Sequence, residues 1–338
     1  MQIHHSLEEA AAYSREMDRP SVVTIGSFDG IHLAHQELLR RVRQRALENS
    51  ATSVAITFDP HPVQVLAPQK APKLLTPFPV KLALLEQSGL DRLLILPFTR
   101  ELSLWSPQKF VEEVLAKALL AVVVVVGENF RFGHRQAGTP EVLEELSRSF
   151  RIRTEIFPQM SLRNIIVSSS QIRSLLQEGR VSLANRLLGR CFSVRSVVEA
   201  GLGIGSTQTV PTLNLGRYSE LLPAAGVYIT LARILTGFGG DAAAPAEMGS
   251  HPTALRSVTN VGRRPTFGER ELGVETHLLE RWDGPTPAAL EVSFLYRLRD
   301  ERKFPSPHEL KSQIMKDVRR TETYFRRLDR FQVAALQD

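Results

Sequence analysis

Five consecutive valines, residues 122–126, stand between Ala121 and Gly127. β-Branched side chains crowd a helical turn and pack well on a pleated surface. The run has no polar residue at alternate positions, so the strand it predicts is covered on both faces. Strands of that kind belong to parallel sheets whose crossover helices lie on either side. The rest of the first half agrees. "SVVTIG" (21–26), "TSVAITF" (52–58), "RLLILPF" (92–98) and "RIRTEIF" (151–157) read as further strands. Between them, residues 34–49, 80–89, 107–119 and 140–149 read as helices. The first presents Leu38, Leu39, Val42 and Ala46 on one face, and the third opens at Pro107. Strands alternating with helices predict an α/β domain.

After about Ala184 the texture changes. Short β-rich pieces follow one another at 191–200, 226–235, 255–262, 274–279 and 289–299, separated by Gly and Pro turns. That pattern predicts an antiparallel barrel or sandwich. A final helix is expected from Ser306, a plausible cap with Glu309 three residues on. Residues 237–252, small and polar, read as a surface insertion. The expected domains are 1–184 and 185–338, and no internal repeat is visible.

A chain of 338 residues suits two cores. Its net charge of +6 is spread along the chain and suits anionic small molecules as well as nucleic acid. The single cysteine, Cys191, forbids an internal disulfide and predicts a reducing, cytoplasmic setting. The N-terminus is polar and helix-like, unlike a signal peptide. The longest apolar run, 119–126, is too short for a membrane span.

"GSFDGIHLAH" (26–35) is where the first strand turns into the first helix. Ligands of open parallel sheets gather at such carboxyl ends, and a helix N-terminus favours phosphate. His32 and His35, one turn apart, either donate hydrogen bonds to a triphosphate or merely cap and pack the first turn. With no cysteine or third histidine nearby, zinc is the weaker reading.

The segment resembles the G-x-F-D-G-x-H-x-G-H signature of the nucleotidyltransferase superfamily. "TFDPHP" (57–62), "GENFRFG" (127–133) and "VSSSQIR" (167–173) are similar, in order, to motifs of one branch, the bacterial bifunctional riboflavin kinase/FAD synthetases. The resemblance implies a Rossmann-like FMN adenylyltransferase domain. His32, His35 and Arg173 would be its catalytic residues, and Gly26, Phe28, Asp29, Asn129, Ser169 and Ser170 its nucleotide contacts. Pro60 and Phe132 would touch flavin, although Phe132 could equally be a packing residue. Ala34 departs from the signature, which has glycine there. Adenylyl transfer from ATP to FMN uses a phosphate nucleophile that is already an anion. The site therefore needs orientation and charge stabilisation rather than a base.

The second half carries "GLGIGSTQTVPTLNL" (201–215). Gly201, Gly203 and Gly205 could let backbone approach phosphate, or form a mobile turn. "PTLNL" resembles the P-T-A-N-L motif of riboflavin kinases, and "NVGRRPTF" (260–267) and "VETHLL" match as well. The resemblance implies that Thr212 and Asn214 hold ATP and its Mg²⁺, and that Glu275 is the general base for riboflavin's alcohol. Within its strand Glu275 faces away from Val274, Thr276 and Leu278; a solvated strand acid is the alternative reading. Ile204 stands where the family has arginine, and Thr209, Val210 and Leu213 also depart.

The leading expectation is an FAD-making transferase that uses ATP and Mg²⁺, with riboflavin and FMN as substrates. The runner-up is an FMN adenylyltransferase whose C-terminal domain binds flavin but is a weak or inactive kinase. A nucleic-acid or flavin-binding regulator is the third. Against it, no helix-turn-helix or aromatic-basic platform is present, and neither nucleic acid nor membrane is expected as a partner.

Overall fold

A computed structural model describes residues 1–199, 212–235, 254–263, 272–280, 282 and 284–334. The chain forms two compact units, Met1–Ser169 and Ser170–Asp338.

The first unit is built on six strands: β1 (Gln2–His4), β2 (Ser21–Ile25), β3 (Thr52–Asp59), β4 (Arg92–Pro97), β5 (Ala121–Gly127) and β6 (Arg153–Phe157). They pair in the order β1-β4-β3-β2-β5-β6, parallel throughout. The helices are α1 (Leu7–Met17), α2 (Leu33–Glu48), α3 (Pro62–Leu66), α4 (Phe78–Gln87), α5 (Pro107–Phe110, continued by a π-helix over Val111–Ala118) and α6 (Pro140–Arg148). A two-stranded hairpin, β7 (Ser161–Leu162) and β8 (Ile165–Ile166), follows. The α/β expectation is borne out. The valine run is a central strand, with Val123 to Val126 all buried. Two apolar layers flank the sheet. One gathers Val23, Ile56 and Val124 with Val114 and Leu143, the other Val22, Ala55 and Val125 with Leu39, Val42 and Leu85.

One strand differs from expectation. Residues 2–4 are not helical but add an edge strand to β4, three residues long with two of them polar.

The second unit opens with α7 (Ser169–Gln177, its first residue shared with the first unit) and α8 (Val181–Leu188). It continues with β9 (Phe192–Glu199), β10 (Leu213–Leu215), β11 (Gly226–Leu235), β12 (Leu255–Arg263), β13 (Leu272–Leu278) and β14 (Ala289–Arg299). These strands close a barrel in the order β10-β13-β12-β11-β14-β9, deciding between barrel and sandwich. The interior is not wholly apolar. Thr230 pairs with Ser257 at 2.7 Å and with Thr259 at 2.8 Å, and Thr259 with Thr276 at 3.0 Å. All four are fully buried and satisfy one another.

The final helix, α9 (Pro307–Ala334), is capped by Ser306, whose Oγ accepts from the Glu309 N–H at 3.3 Å. Arg299 on β14 fastens it through Asp317 at 2.8 Å, a carboxylate only 2% exposed. The insertion expected at 237–252 lies outside the described residues.

The compact units divide fifteen residues before the expected boundary at 184/185. α7 and α8 go with the barrel for a physical reason. Asn185 donates to the Phe294 carbonyl at 2.7 Å and accepts from the Phe192 N–H at 2.8 Å. Ser182 donates to the Leu295 carbonyl at 3.0 Å.

Candidate active site

The chain runs β2→β3→β4 toward one edge of the parallel sheet and β5→β6 toward the other, so β2 and β5 are neighbours where the direction reverses. A crevice opens at the carboxyl ends of such a pair. Gly26 follows β2 and Asn129 follows β5, placing both sequence-expected residues there. Asn129 is exposed on its turn.

The loop from Gly26 to His32 is unusual backbone. Phe28 (φ 48°), Gly30 (φ 86°) and Ile31 (φ 37°) all lie in the left-handed region. Non-glycine residues there cost about 1–3 kcal/mol each and need support. Phe28 and Ile31 are buried in the core. Asp29 supplies the rest. Its carboxylate accepts from the Leu75 N–H at 3.0 Å and the Thr76 N–H at 3.1 Å, while Thr76 Oγ1 accepts from the Gly30 N–H at 2.9 Å. Ser169 Oγ donates to the Asp29 carbonyl at 2.8 Å. Asp29 and Phe28 therefore brace the loop rather than facing an open surface. Gly26 lies against the Phe28 ring, which a Cβ at Gly26 would meet at 3.2 Å.

His32 is the N-cap of α2, and His35 is the third residue of that helix. His32 Nδ1 accepts from the His35 N–H at 3.4 Å. The rings stack, centroids 3.6 Å apart and 16° from parallel, and the Phe28 ring meets His35 edge-on at 5.2 Å. Capping and phosphate binding are compatible here. An accepting Nδ1 places the proton of a neutral His32 on Nε2, the tautomer that donates.

Sequence reasoning missed Lys81. It is 7% exposed and donates to the Ser27 carbonyl and to Thr57 Oγ1, each at 3.3 Å. Burial pushes its ammonium pKa down, against the pull of Asp59 and Asp29. The readable signal was a lysine in helical phase with Leu85, the other buried residue of α4. A cavity of about 20 Å³ beside it, lined by Asp29, Asp59, His61 and Thr76 among others, has room for one water and not a flavin ring.

The expected flavin contacts separate. Pro60 is exposed at the end of β3. Phe132 is 8% exposed, stacked on Phe130 at 5.4 Å and packed against Phe110 at 5.7 Å. Phe132 thus has a packing role in the core of the first unit. Ser170 and Arg173 follow Ser169 on α7, which starts two residues earlier than expected and buries Ile172, Leu175 and Leu176.

In the barrel, Thr259 and Thr276 point inward, so Asn260 and Glu275 point outward. Glu275 stands directly opposite Asn260 on β12 and Asn214 on β10. The three half-buried side chains form one row across the outer wall. Cross-strand neighbours in such a row have Cβ atoms about 4.5–5.5 Å apart. Thr212, two residues before Asn214, is exposed. Gly201, Gly203 and Gly205, like Ile204, Thr209 and Val210, lie outside the described residues.

The family model for FAD synthetase matches residues 14–171, and that for riboflavin kinase matches residues 188–325. Relatives called bifunctional riboflavin kinase/FMN adenylyltransferase match nearly end to end. The Bacillus subtilis protein is 32% identical, with 96% of each chain covered. The Escherichia coli K12 protein is 30% identical over 90% of this chain and 92% of its own. The Buchnera aphidicola protein from Acyrthosiphon pisum is 30% identical over 92% and 95%. A solved Streptococcus pneumoniae structure, described as a macrolide-efflux protein, is 28% identical over 90% of this chain and 94% of its own, with a TM-score of 0.77. Among the described residues, no helix of this chain is long and apolar enough to cross a membrane.

Proposed function

The chain belongs to the family of bifunctional riboflavin kinases/FMN adenylyltransferases, and on that premise we propose how its two compact units divide the work. The enzyme phosphorylates riboflavin to FMN and adenylylates FMN to FAD. Adenylyl transfer is assigned to the β2–β5 switch point and phosphoryl transfer to the outer wall of the barrel. One observation carries this reading. Glu275 stands between two amides in one unit, while His32 and His35 stack in the other.

In the first unit, the FMN phosphate attacks the α-phosphorus of ATP and pyrophosphate leaves. No proton has to be removed from the nucleophile. His32 and His35 stabilise the charge that spreads over the phosphates, with the α2 N-terminus adding fixed dipoles; Ser170 and Arg173, expected at this site from the family resemblance, lie on α7 and belong to the second compact unit. Asn129 and Gly26 flank the nucleotide at the crevice, and Pro60 borders the flavin. Asp29, Phe28 and Lys81 act one layer beneath, by holding the loop.

In the second unit, the nucleophile is an alcohol and Glu275 takes its proton. The Asn214 and Asn260 amides beside it can donate to the carboxylate without adding a charge that would weaken it as a base. Gly201, Gly203 and Gly205 would supply backbone donors to ATP. Thr212 and Asn214 offer a hydroxyl and a carboxamide oxygen, hard donors suited to Mg²⁺. No cluster of three or more His, Cys, Asp or Glu that could cage a metal is found among the described residues. When bound, Mg²⁺ neutralises and aligns the phosphates of ATP.

Cys191 is half-buried and burial pushes its thiol pKa up, an inert cysteine that suits the cytoplasm.

The test is to incubate the protein with ATP and Mg²⁺ and either riboflavin or FMN, and to separate the flavins. The reading expects FMN and then FAD from riboflavin. FAD from FMN alone, with riboflavin untouched, would reduce the barrel to a flavin-binding module.

A further inference from the structure

Three polar groups from three elements meet at the carboxyl ends of β2 and β3. The Ser27 carbonyl belongs to the loop after β2, the Thr57 hydroxyl to β3 and the Lys81 ammonium to α4. Lys81 Nζ donates to the Ser27 carbonyl and to Thr57 Oγ1, each at 3.3 Å. Thr57 Oγ1 keeps its own proton for the same Ser27 carbonyl, 3.5 Å away. Thr57 is fully buried. The centre of the Phe78 ring lies 4.9 Å from Nζ. The Asp59 and Asp29 carboxylates favour the charged form of Lys81 against its burial, and both line the water-sized cavity beside it.

Stability alone does not call for a lysine here. Taking an ammonium out of water is costly, and an apolar side chain of similar volume at a buried ionic position is often neutral or stabilising. Directed hydrogen bonds from a buried charge supply something else, a fixed geometry where an apolar contact would allow sliding.

The two segments so joined serve different substrates. The loop that begins at Ser27 leads to His32 and His35, assigned to the phosphates of ATP. Thr57 is followed on the same strand end by Pro60, assigned to the border of the flavin, and by His61, whose side chain caps α3. Transfer requires the FMN phosphate oxygen to lie within about 3–3.5 Å of the α-phosphorus, and a misplacement of about 1 Å caused from a distance can cost about 10²-fold.

We propose that Lys81 is a positioning residue for adenylyl transfer, which sets the distance between the nucleotide loop and the flavin-bearing end of β3 by clasping Ser27 to Thr57. It acts through those two residues and not on the reacting atoms. Each substrate keeps its own contacts without the clasp, so the effect falls on turnover rather than on binding. The clasp rests on the assignment of adenylyl transfer to the β2–β5 switch point.

The test is steady-state FAD formation from FMN and ATP by the full chain. Lys81→Met, Thr57→Val and the double variant are compared, with His35→Ala in parallel. Methionine keeps the apolar stem of lysine and valine the shape of threonine, so the melting temperatures should stay close to the parent's. The clasp predicts that kcat of Lys81→Met falls about 10–100-fold, while the FMN and ATP KM values stay within about threefold. Riboflavin phosphorylation should continue at the parental rate. Thr57→Val removes one corner and should show a smaller fall of the same kind. The double variant should be no slower than Lys81→Met, because both changes break one connection. A parental kcat in Lys81→Met overturns the clasp, as does a loss carried by KM alone or a double variant whose losses multiply. Should Lys81→Met melt well below the parent, Thr57→Val decides by the same split between kcat and KM. If His35→Ala keeps full FAD formation, the assignment of the site has failed. If it loses FAD formation while Lys81→Met turns over normally, only the clasp has failed.

Discussion

The His32 and His35 rings lie stacked, centroids 3.6 Å apart, at the N-terminus of α2. Each buttresses the other, and Phe28 holds His35 from its edge. Paired donors held in this way need little reorganisation when charge develops on a phosphate. His35→Ala should therefore lower FAD formation from FMN by about 10²–10³-fold. FMN formation from riboflavin should stay near the parental rate. Separating the flavins by chromatography over a time course checks both. Parental FAD synthesis in the folded variant would remove His35 from the site.

Asp29 makes a different prediction, because its carboxylate is spent on the Leu75 and Thr76 N–H groups. Asp29→Ala leaves both donors buried without an acceptor and releases the left-handed loop. The expected loss of stability is about 2–6 kcal/mol, since each of the two unsatisfied buried groups costs about 1–3 kcal/mol. Asp29→Asn keeps one acceptor oxygen and should lose less. Denaturant unfolding monitored by circular dichroism measures both. A nucleotide contact without a bracing role would instead weaken ATP binding and leave the unfolding midpoint alone.

The β1–α1 corner predicts a pH dependence. Arg92, 2% exposed, donates to His4 Nε2 at 3.3 Å, to Ser14 Oγ at 3.0 Å and to the Ala10 carbonyl at 3.0 Å, with its guanidinium 4.6 Å from the centre of the Tyr13 ring. Burial first, and the Arg92 charge second, hold the His4 pKa below its ordinary 6.5; Glu9 opposes and His5 adds to the lowering. The folded state thus resists protonation that the unfolded chain accepts. Stability from this group is fully present above about pH 6.5 and is lost as pH falls through the lower folded value. The unfolding midpoint should drop on acidification below that point, and His4→Gln should flatten that part of the curve. An identical acid slope in His4→Gln would assign it to other groups.

Much of this architecture can be read from residue patterns. The unbroken valines of β5 announce a strand buried on both faces, and Pro107 and Ser306 mark helix starts where they occur. Short elements escape such reading. β1 is three residues on an edge, stabilised by pairing with Arg92–Leu94 some ninety residues later. β10 is three residues within a stretch that reads as a binding motif, and only its pairing with β9 and β13 makes it a strand. At the site, motif reading singles out His32, His35, Glu275 and Asp29, but not the bracing contacts of the Asp29 carboxylate. The groups that occupy its carboxylate, at Leu75 and Thr76, are distant in sequence and invisible to local pattern. The packing of Phe132 likewise depends on Gly138, where a Cβ would collide with its ring. Lys81 and Asn260 acquire meaning only through neighbours brought together by the sheet and the barrel.

The central claim is that the two reactions occupy separate units, and Glu275→Gln tests it with one variant and two starting flavins. Glutamine keeps the size of the side chain and its hydrogen bonding but cannot take the proton of an alcohol. Loss of a general base costs about 10²–10⁴-fold. With ATP and Mg²⁺ supplied, the account predicts that FMN formation from riboflavin falls within that range while FAD formation from added FMN continues at the parental rate. If both conversions fall together in a protein that melts like the parent, or if neither falls, the account is contradicted.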